Sequence, residues 1–278
     1  MDWDDYEGWG KKISTWGANY HKALRDYPVR SQVKPGDILN QLDTSAPEEG
    51  TQMEDIMKDF NEIVIPGMTH WQHPRFFAYF PSNASPPAIL ADFLTSTMAA
   101  QCMLWQTSPA ATEMETRMMD WLRQAVGLPE HFEGVIQDSA SSASLSAILT
   151  MRERALGWQG NKKGLSGLNQ LRIYVSDESH SSIDRAIWIS GIGQKNLVRL
   201  PVVGDLRSSD SMALRNAIKA DIAAGYTPAG VICVTGATGM GACDDISAMT
   251  SVAKEFDLYV HVDAAWAGSA MICPEFRY

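Results

Sequence analysis

At 278 residues, with 45% hydrophobic and 20% charged residues, the chain has an ordinary globular composition and the length of one large domain or two. A formal charge of −10 excludes non-specific nucleic-acid binding and argues against an anionic membrane surface, because no basic excess exists to neutralise phosphates. No apolar run reaches the roughly 18–20 residues that span a bilayer. The acidic start MDWDDYEGWG lacks a signal-peptide pattern, and Cys102, Cys233, Cys243 and Cys273 are too scattered for a disulfide framework or a zinc site. The expectation is a cytoplasmic protein with reduced cysteines and no metal, membrane or nucleic-acid partner.

The first elements read as helices. Ile13, Trp16, Ala18, Tyr20, Ala23 and Leu24 recur at helical spacing until Tyr27-Pro28 stops the run. A second helix is expected from Met53 to Val64, ended by Pro66-Gly67, after a turn-rich linker around Lys34-Pro35-Gly36 and Ala46-Pro47. Their aromatic surface suggests an arm that packs on something else, such as a second subunit. His70 to Ser85, HWQHPRFFAYFPSNAS, is irregular and aromatic-rich, and Pro86 to Trp105 reads as a buried helix of small residues. Ser108-Pro109 is a helix start, Met114, Met118, Leu122 and Val126 follow at i, i+4, and Gly127-Leu128-Pro129 is the stop.

From Gly134 the pattern alternates. Strands are expected at 134–136, 172–175, 197–203, 230–235 and 258–262, with helices at 144–157, 182–190, 211–224 and 246–256. Such alternation implies a mostly parallel α/β sheet, in which ligands bind beyond the carboxyl ends of the strands. Four strand ends carry chemistry. Gln137-Asp138-Ser139-Ala140-Ser141-Ser142 leads into a helix, where small hydroxyls and free N–H groups suit a phosphate, although a Ser-rich cap without a ligand has the same composition. It is neither a P-loop nor GxGxxG. Ser179-His180-Ser181 places a histidine at the sheet rim, as a ligand contact or as a capped surface residue. Thr235-Gly236-Ala237-Thr238-Gly239 is small enough for a ligand to approach the backbone, or is a plain glycine-rich turn. Asp263, closing the apolar strand LYVHV, needs a cation or a hydrogen-bond donor, and a protonated pyridine nitrogen is one such partner. The competing reading is an N-cap for the next helix.

In this order the segments HWQHPRFFAYFPS, TSPAATEMETRMMDWL, VIQDSASSASLSAIL, SDESHSS and YVHVDAAWAGSAMICPEFR resemble the group II pyridoxal-phosphate-dependent decarboxylases, the aromatic-L-amino-acid decarboxylases with their DOPA, tryptophan and tyrosine relatives. The resemblance runs through essentially the whole chain. It implies a fold-type-I PLP-dependent transferase-like large domain at residues 81–278, incomplete at its C-terminal end, preceded by an N-terminal helical dimerisation arm and substrate-pocket segment at residues 1–80. It implies pyridoxal 5'-phosphate as cofactor, with Ser139, Ala140 and Ser141 on the phosphate, His180 stacked on the ring, Thr238 and Ala265 lining it, and Asp263 on the pyridinium nitrogen. His180 and Asp263 are the implied catalytic pair. Trp71, Tyr79, Phe80, Pro81, Ser82, Met103 and Leu104 match substrate-pocket positions, and the implied substrate is an aromatic L-amino acid, decarboxylated to its amine.

Some positions depart from the animal pattern: Asp138, Ser142, Ala237, Ser82 and Met103 stand where Gly, Glu, Thr, Thr and Phe are common. These bear on substrate preference more than on the reaction. The Asn-Pro-His-Lys segment that carries the family's Schiff-base lysine has no counterpart, since no lysine follows Lys254. The expectation is a chain that works as a homodimer or with a second polypeptide supplying that segment. The alternatives are a non-catalytic fragment or pseudoenzyme, or another fold-type-I enzyme such as an aminotransferase or a sulfur-amino-acid lyase.

Overall fold

The computed structural model describes residues 1–80 and 82–277. The chain forms two compact units, Met1–Ala100 and Gln101–Tyr278. In the first, α1 (Trp3–Ala23) starts at Asp2, whose carboxylate accepts from the N–H groups of Asp4 and Asp5. Helix α2 (Met53–Asp59) runs on through a π-helical turn, Phe60–Val64, and a last turn at Ile65–Gly67. Aromatic side chains knit these elements together. The Trp16 indole donates to Asn61 Oδ1 at 2.8 Å, Tyr20 Oη lies 2.8 Å from His70 Nδ1, and the Tyr6 ring stacks on Phe93 of α3 (Pro86–Met98). That stacking and the 2.9 Å contact of Tyr6 Oη with Thr97 Oγ1 tie α3 to the first unit, which extends to Ala100. Helix α3 also stops short of the expected Trp105, because Ala99 turns into the left-handed region at φ 47°.

The second unit opens with α4 (Pro109–Val126). Proline fills its first position, and Gly127 at φ 76° ends it as sequence chemistry requires. Helix α5 (Ala140–Ala155) begins four residues before the expected 144, so the Ser/Ala-rich run is its first turn rather than a loop. Then follow β1 (Leu171–Ser176), α6 (Ser182–Ile189), β2 (Leu197–Leu200), α7 (Ser211–Ala223), β3 (Thr227–Val234), α8 (Ile246–Glu255) and β4 (Tyr259–Asp263). The four strands form one parallel sheet in the order β2-β1-β3-β4. Alternation along each strand divides the core. Ile173, Val175 and Ile232 pack with Ile148, Met151, Ile183 and Ile187 of α5 and α6, while Tyr174, Val231 and Cys233 pack with Leu214, Ile218, Met249 and Val252 of α7 and α8. This is the fold-type-I α/β arrangement that the resemblance implied.

Two strand expectations need correction. Residues 134–136 form no strand: the Ile136 N–H goes to Glu115 Oε1 at 2.8 Å, and Val135 and Ile136 stay 65% and 62% exposed. Among the described residues no strand lies beside them, and a three-residue run without a ladder does not persist. The strand expected over 197–203 divides at Pro201, which has no N–H for the ladder. β2 ends at Leu200, and Val202–Val203 instead pairs antiparallel with Ser208–Ser209. Among the described residues no helix is long and apolar enough to cross a membrane, and no cluster of metal-ligating side chains occurs.

Candidate functional site

The sheet order reverses direction at β1, with β2 on one side of it and β3 on the other. The carboxyl ends of β1 and β3 therefore flank the crevice where open α/β sheets take ligands. Four candidate segments lie at this edge, each held by identifiable bonds.

Helix α5 runs antiparallel to β4. At its far end Arg154 Nη2 donates to Asp257 Oδ1 at 2.7 Å, just before β4, and nearer its start Ser144 Oγ lies 3.3 Å from His261 Nε2 within β4. The helix thus points its N-terminus toward the carboxyl end of β4, where Asp263 stands. Ser139 is the N-cap, its Oγ accepting the Ser142 N–H at 3.3 Å. Ala140 and Ser141 contribute first-turn N–H groups, which a helix leaves without intrahelical acceptors. All three residues are exposed. The Asp138 carboxyl beside them is held below the usual carboxylate range, first by a hydrogen bond from the Ser142 side chain and then by backbone N–H groups and Ser139.

Period-two alternation puts Tyr259, His261 and Asp263 on one face of β4. Tyr259 packs in the core shared with α5 and α6, so Asp263 faces the α5 side of the sheet. The strand is half-buried rather than deeply apolar, and Val262 is 39% exposed. Asp263 Oδ1 accepts the Ala265 N–H at 3.3 Å in an Asx turn, while the cap position of the following 3-10 helix is Trp266. Burial pushes the His261 imidazole pKa down, against the opposing pull of the Asp263 charge.

His180 follows β1 at the head of α6 and is half-buried. The Ser182 backbone N–H donates to its Nδ1 at 3.2 Å, and Ser182 Oγ lies 2.9 Å from the same nitrogen. The turn that carries it is clamped by Arg199. That guanidinium donates to both Asp184 carboxylate oxygens at 2.7 Å, to the Ser176 carbonyl at 3.1 Å and to Ser179 Oγ at 2.6 Å. Thr238 stands exposed on the turn after β3. Beneath that turn the buried Asp244 carboxylate accepts from the Val234 and Ser209 N–H groups, both at 2.7 Å. Burial, then the Asp244 charge, push the neighbouring Cys233 thiol up to about 12, so it stays protonated.

The second unit thus brings Ser139, Ala140, Ser141, His180, Thr238, Asp263 and Ala265 to the carboxyl edge of one sheet. The substrate-pocket candidates divide between the units. Trp71, Tyr79, Phe80 and Ser82 belong to the first, where the Trp71 ring packs on Phe76 and stacks on Tyr79, whose backbone adopts φ 53°. Met103 and Leu104 belong to the second and are 73% and 56% exposed. Pro81 lies outside the described residues. An apolar groove of about 300 Å³ between α4 and residues 268–272, lined by Met119, Leu122, Val126, Phe132 and Ile272, contains none of these candidates.

His261 and Trp266 escaped the reading of the sequence. His261 was accessible to it, since a residue two before Asp263 in a strand shares its face. Trp266 depends on a contact between distant segments, which carries no local signal.

A family model described as "Pyridoxal-dependent decarboxylase conserved domain" matches residues 35–278. Tyrosine decarboxylase of Papaver somniferum is 38% identical over 290 residues, covering 100% of this chain and 56% of the relative. The crystal structure of Oryza sativa TDC with PLP and tryptamine superposes at a TM-score of 0.93 with 37% identity, covering 100% of this chain and 60% of that one. The structure of 4-hydroxyphenylacetaldehyde synthase of Rhodiola rosea gives a TM-score of 0.92 at 36% identity, again covering 100% and 60%. The chain spans little more than half the length of the curated relatives it matches.

Proposed function

This chain belongs to the pyridoxal-dependent decarboxylase family, and on that premise we propose that it builds the pyridoxal 5'-phosphate cradle of an enzyme that decarboxylates an aromatic L-amino acid. The observation that supports this reading most directly is the convergence of the α5 N-terminus and the Asp263 carboxylate on one face of β4, joined through Ser144 and His261. The residues present suit the cofactor: a helix N-terminus free of bulky side chains for a phosphate, a carboxylate for a cationic nitrogen, and the small Ala264 and Ala265 beside it for a flat ring.

When bound, the cofactor supplies an electron sink for the bond that releases carbon dioxide. Ser139 with the N–H groups of Ala140 and Ser141 holds the phosphate. Asp263 keeps a proton on the pyridine nitrogen, and its Asx turn with Ala265 fixes the carboxylate for that task. His180, its orientation set by Ser182, would stack on the ring, which Thr238 and Ala265 would line. The proposed substrate contacts are Trp71, Tyr79, Phe80 and Ser82 in the first unit and, separately, Met103 and Leu104 in the second, with Met103 an adaptable surface for differing aromatic rings. The lysine of Asn-Pro-His-Lys is not among residues 255–278. Because residues 1–278 span 56% of the length of the tyrosine decarboxylase they match, the reaction is proposed for the whole protein rather than for these residues alone.

The test has two arms. Titrating the chain with pyridoxal 5'-phosphate is expected to give saturable uptake that Asp263→Ala and Ser139→Ala weaken. Adding a polypeptide equivalent to the remaining part of the relatives is expected to yield amine and carbon dioxide from tyrosine or tryptophan. Absence of uptake by the wild-type chain overturns the cofactor reading, and an aldehyde or keto-acid product overturns simple decarboxylation.

A further inference from the structure

The turn after β3 closes on itself: the Gly236 and Ala237 N–H groups both donate to the Ala242 carbonyl, at 3.0 and 2.9 Å, and Gly241 donates to Ala237 at 2.8 Å. Two further bonds join it to the Asp263 segment. The Thr235 N–H donates to the Asp263 carbonyl at 2.9 Å, and the Trp266 indole N–H donates to the Gly236 carbonyl at 2.6 Å. The indole also lies flush on the turn. Gly236 sits at φ +75°, and a Cβ there would fall 2.8 Å from Trp266 Cε2 and Cζ2 and 2.6 Å from the Ala267 methyl. Glycine is therefore required at 236 on two counts, backbone conformation and the space the ring occupies.

We propose that Trp266 is a positioning residue whose indole rivets the Thr238-bearing turn to the Asp263–Ala265 segment, so that the two groups reach the cofactor as one rigid unit. Without that rivet the exposed apex Thr238-Gly239-Met240 is held by the turn's own bonds and by the Thr235–Asp263 bond at its base alone, and such segments open at low free energy. The role bears on catalysis only through the cofactor reading above, and the experiment separates the two.

Amide hydrogen exchange is measured on the full chain, wild type against Trp266→Phe, which keeps an aromatic ring and removes the donor. Exchange over 235–241 is expected to rise about fivefold, the factor that one ordinary hydrogen bond carries, while 231–234 holds. The affinity for pyridoxal 5'-phosphate is expected to fall about threefold to tenfold, with the affinity for inorganic phosphate unchanged. Gly236→Ala, which displaces the ring from the other side, is expected to reproduce both effects should Trp266→Phe fold poorly. Unchanged exchange in 235–241, or an equal fall for cofactor and inorganic phosphate, overturns the positioning role while leaving the cofactor reading intact. Failure of the wild-type chain to take up pyridoxal 5'-phosphate overturns both.

Discussion

Residues 144–253 and the described residues on either side of them are built differently. Before Ser144 the buried residues are Leu24, Ile65, His70 and His73, two of them histidines, and after Ala253 none of the described residues is buried. Between those limits lies a dense apolar core in which Ile148, Ile173, Ile187, Leu214 and Ile232 have no exposed surface. The flanking helices instead present large apolar side chains to solvent, among them Ile89, Leu94 and Met98 of α3 and Met114, Trp121 and Leu122 of α4. The central block is stabilised by burial within itself. The flanks carry large apolar side chains that the described residues leave uncovered.

That contrast is broken or sharpened by mutation. The largest effect is expected for Ile173→Ala, at about 2–5 kcal/mol from lost burial and the cavity left behind, whereas Leu122→Ala stays within about 0.5 kcal/mol. Urea midpoints at constant slope measure both, and comparable losses would erase the distinction. Next comes Asp244→Ala, expected to cost about 1–3 kcal/mol because the buried Val234 and Ser209 N–H groups lose their acceptor. Asp244→Asn, which keeps one carbonyl oxygen, recovers part of that loss.

A smaller effect is the acid limb of stability. Burial lowers the pKa of both His70 and His261 below the ordinary histidine value. As pH falls below about 6.5 the unfolded chain takes up protons that the folded chain refuses, so stability declines toward the folded-state pKa values and is level above this range. His70→Gln and His261→Gln each flatten that slope in a pH series of midpoints, one reporting on the flank and the other on the edge of the block. The smallest effect is expected for Glu54→Gln. Its partner Lys12 lies 3.2 Å away, but both side chains are more than half exposed, so the midpoint does not move measurably.

How far the sequence spoke follows the same division. Strands β1 and β3 and helices α6 to α8 were legible because burial writes continuous apolar runs and periodic stripes, and β4 because its short apolar run persists at half burial. The start of α5 was misplaced because its first turn is Ser and Ala, which carry no periodicity. The 134–136 strand failed because apolar character alone supplies no ladder partner. The pairing of Val202–Val203 with Ser208–Ser209 was missed although Pro201 marks the break. Of the site, the positions of Asp263, His180 and Ser139 at strand and helix ends were readable from local chemistry. The ties that aim them, Arg199 on the His180 turn and Trp266 on Gly236, join residues far apart in sequence and emerge only from the fold.

One arrangement has a wider consequence. Ser139 and Asp263 stand five and ten residues outside the two limits of the buried block, at a helix cap and a strand end that the block aims but does not enclose. Under the proposed reading, substitutions at these rims change cofactor affinity at little cost to the scaffold, because neither side chain belongs to the buried core.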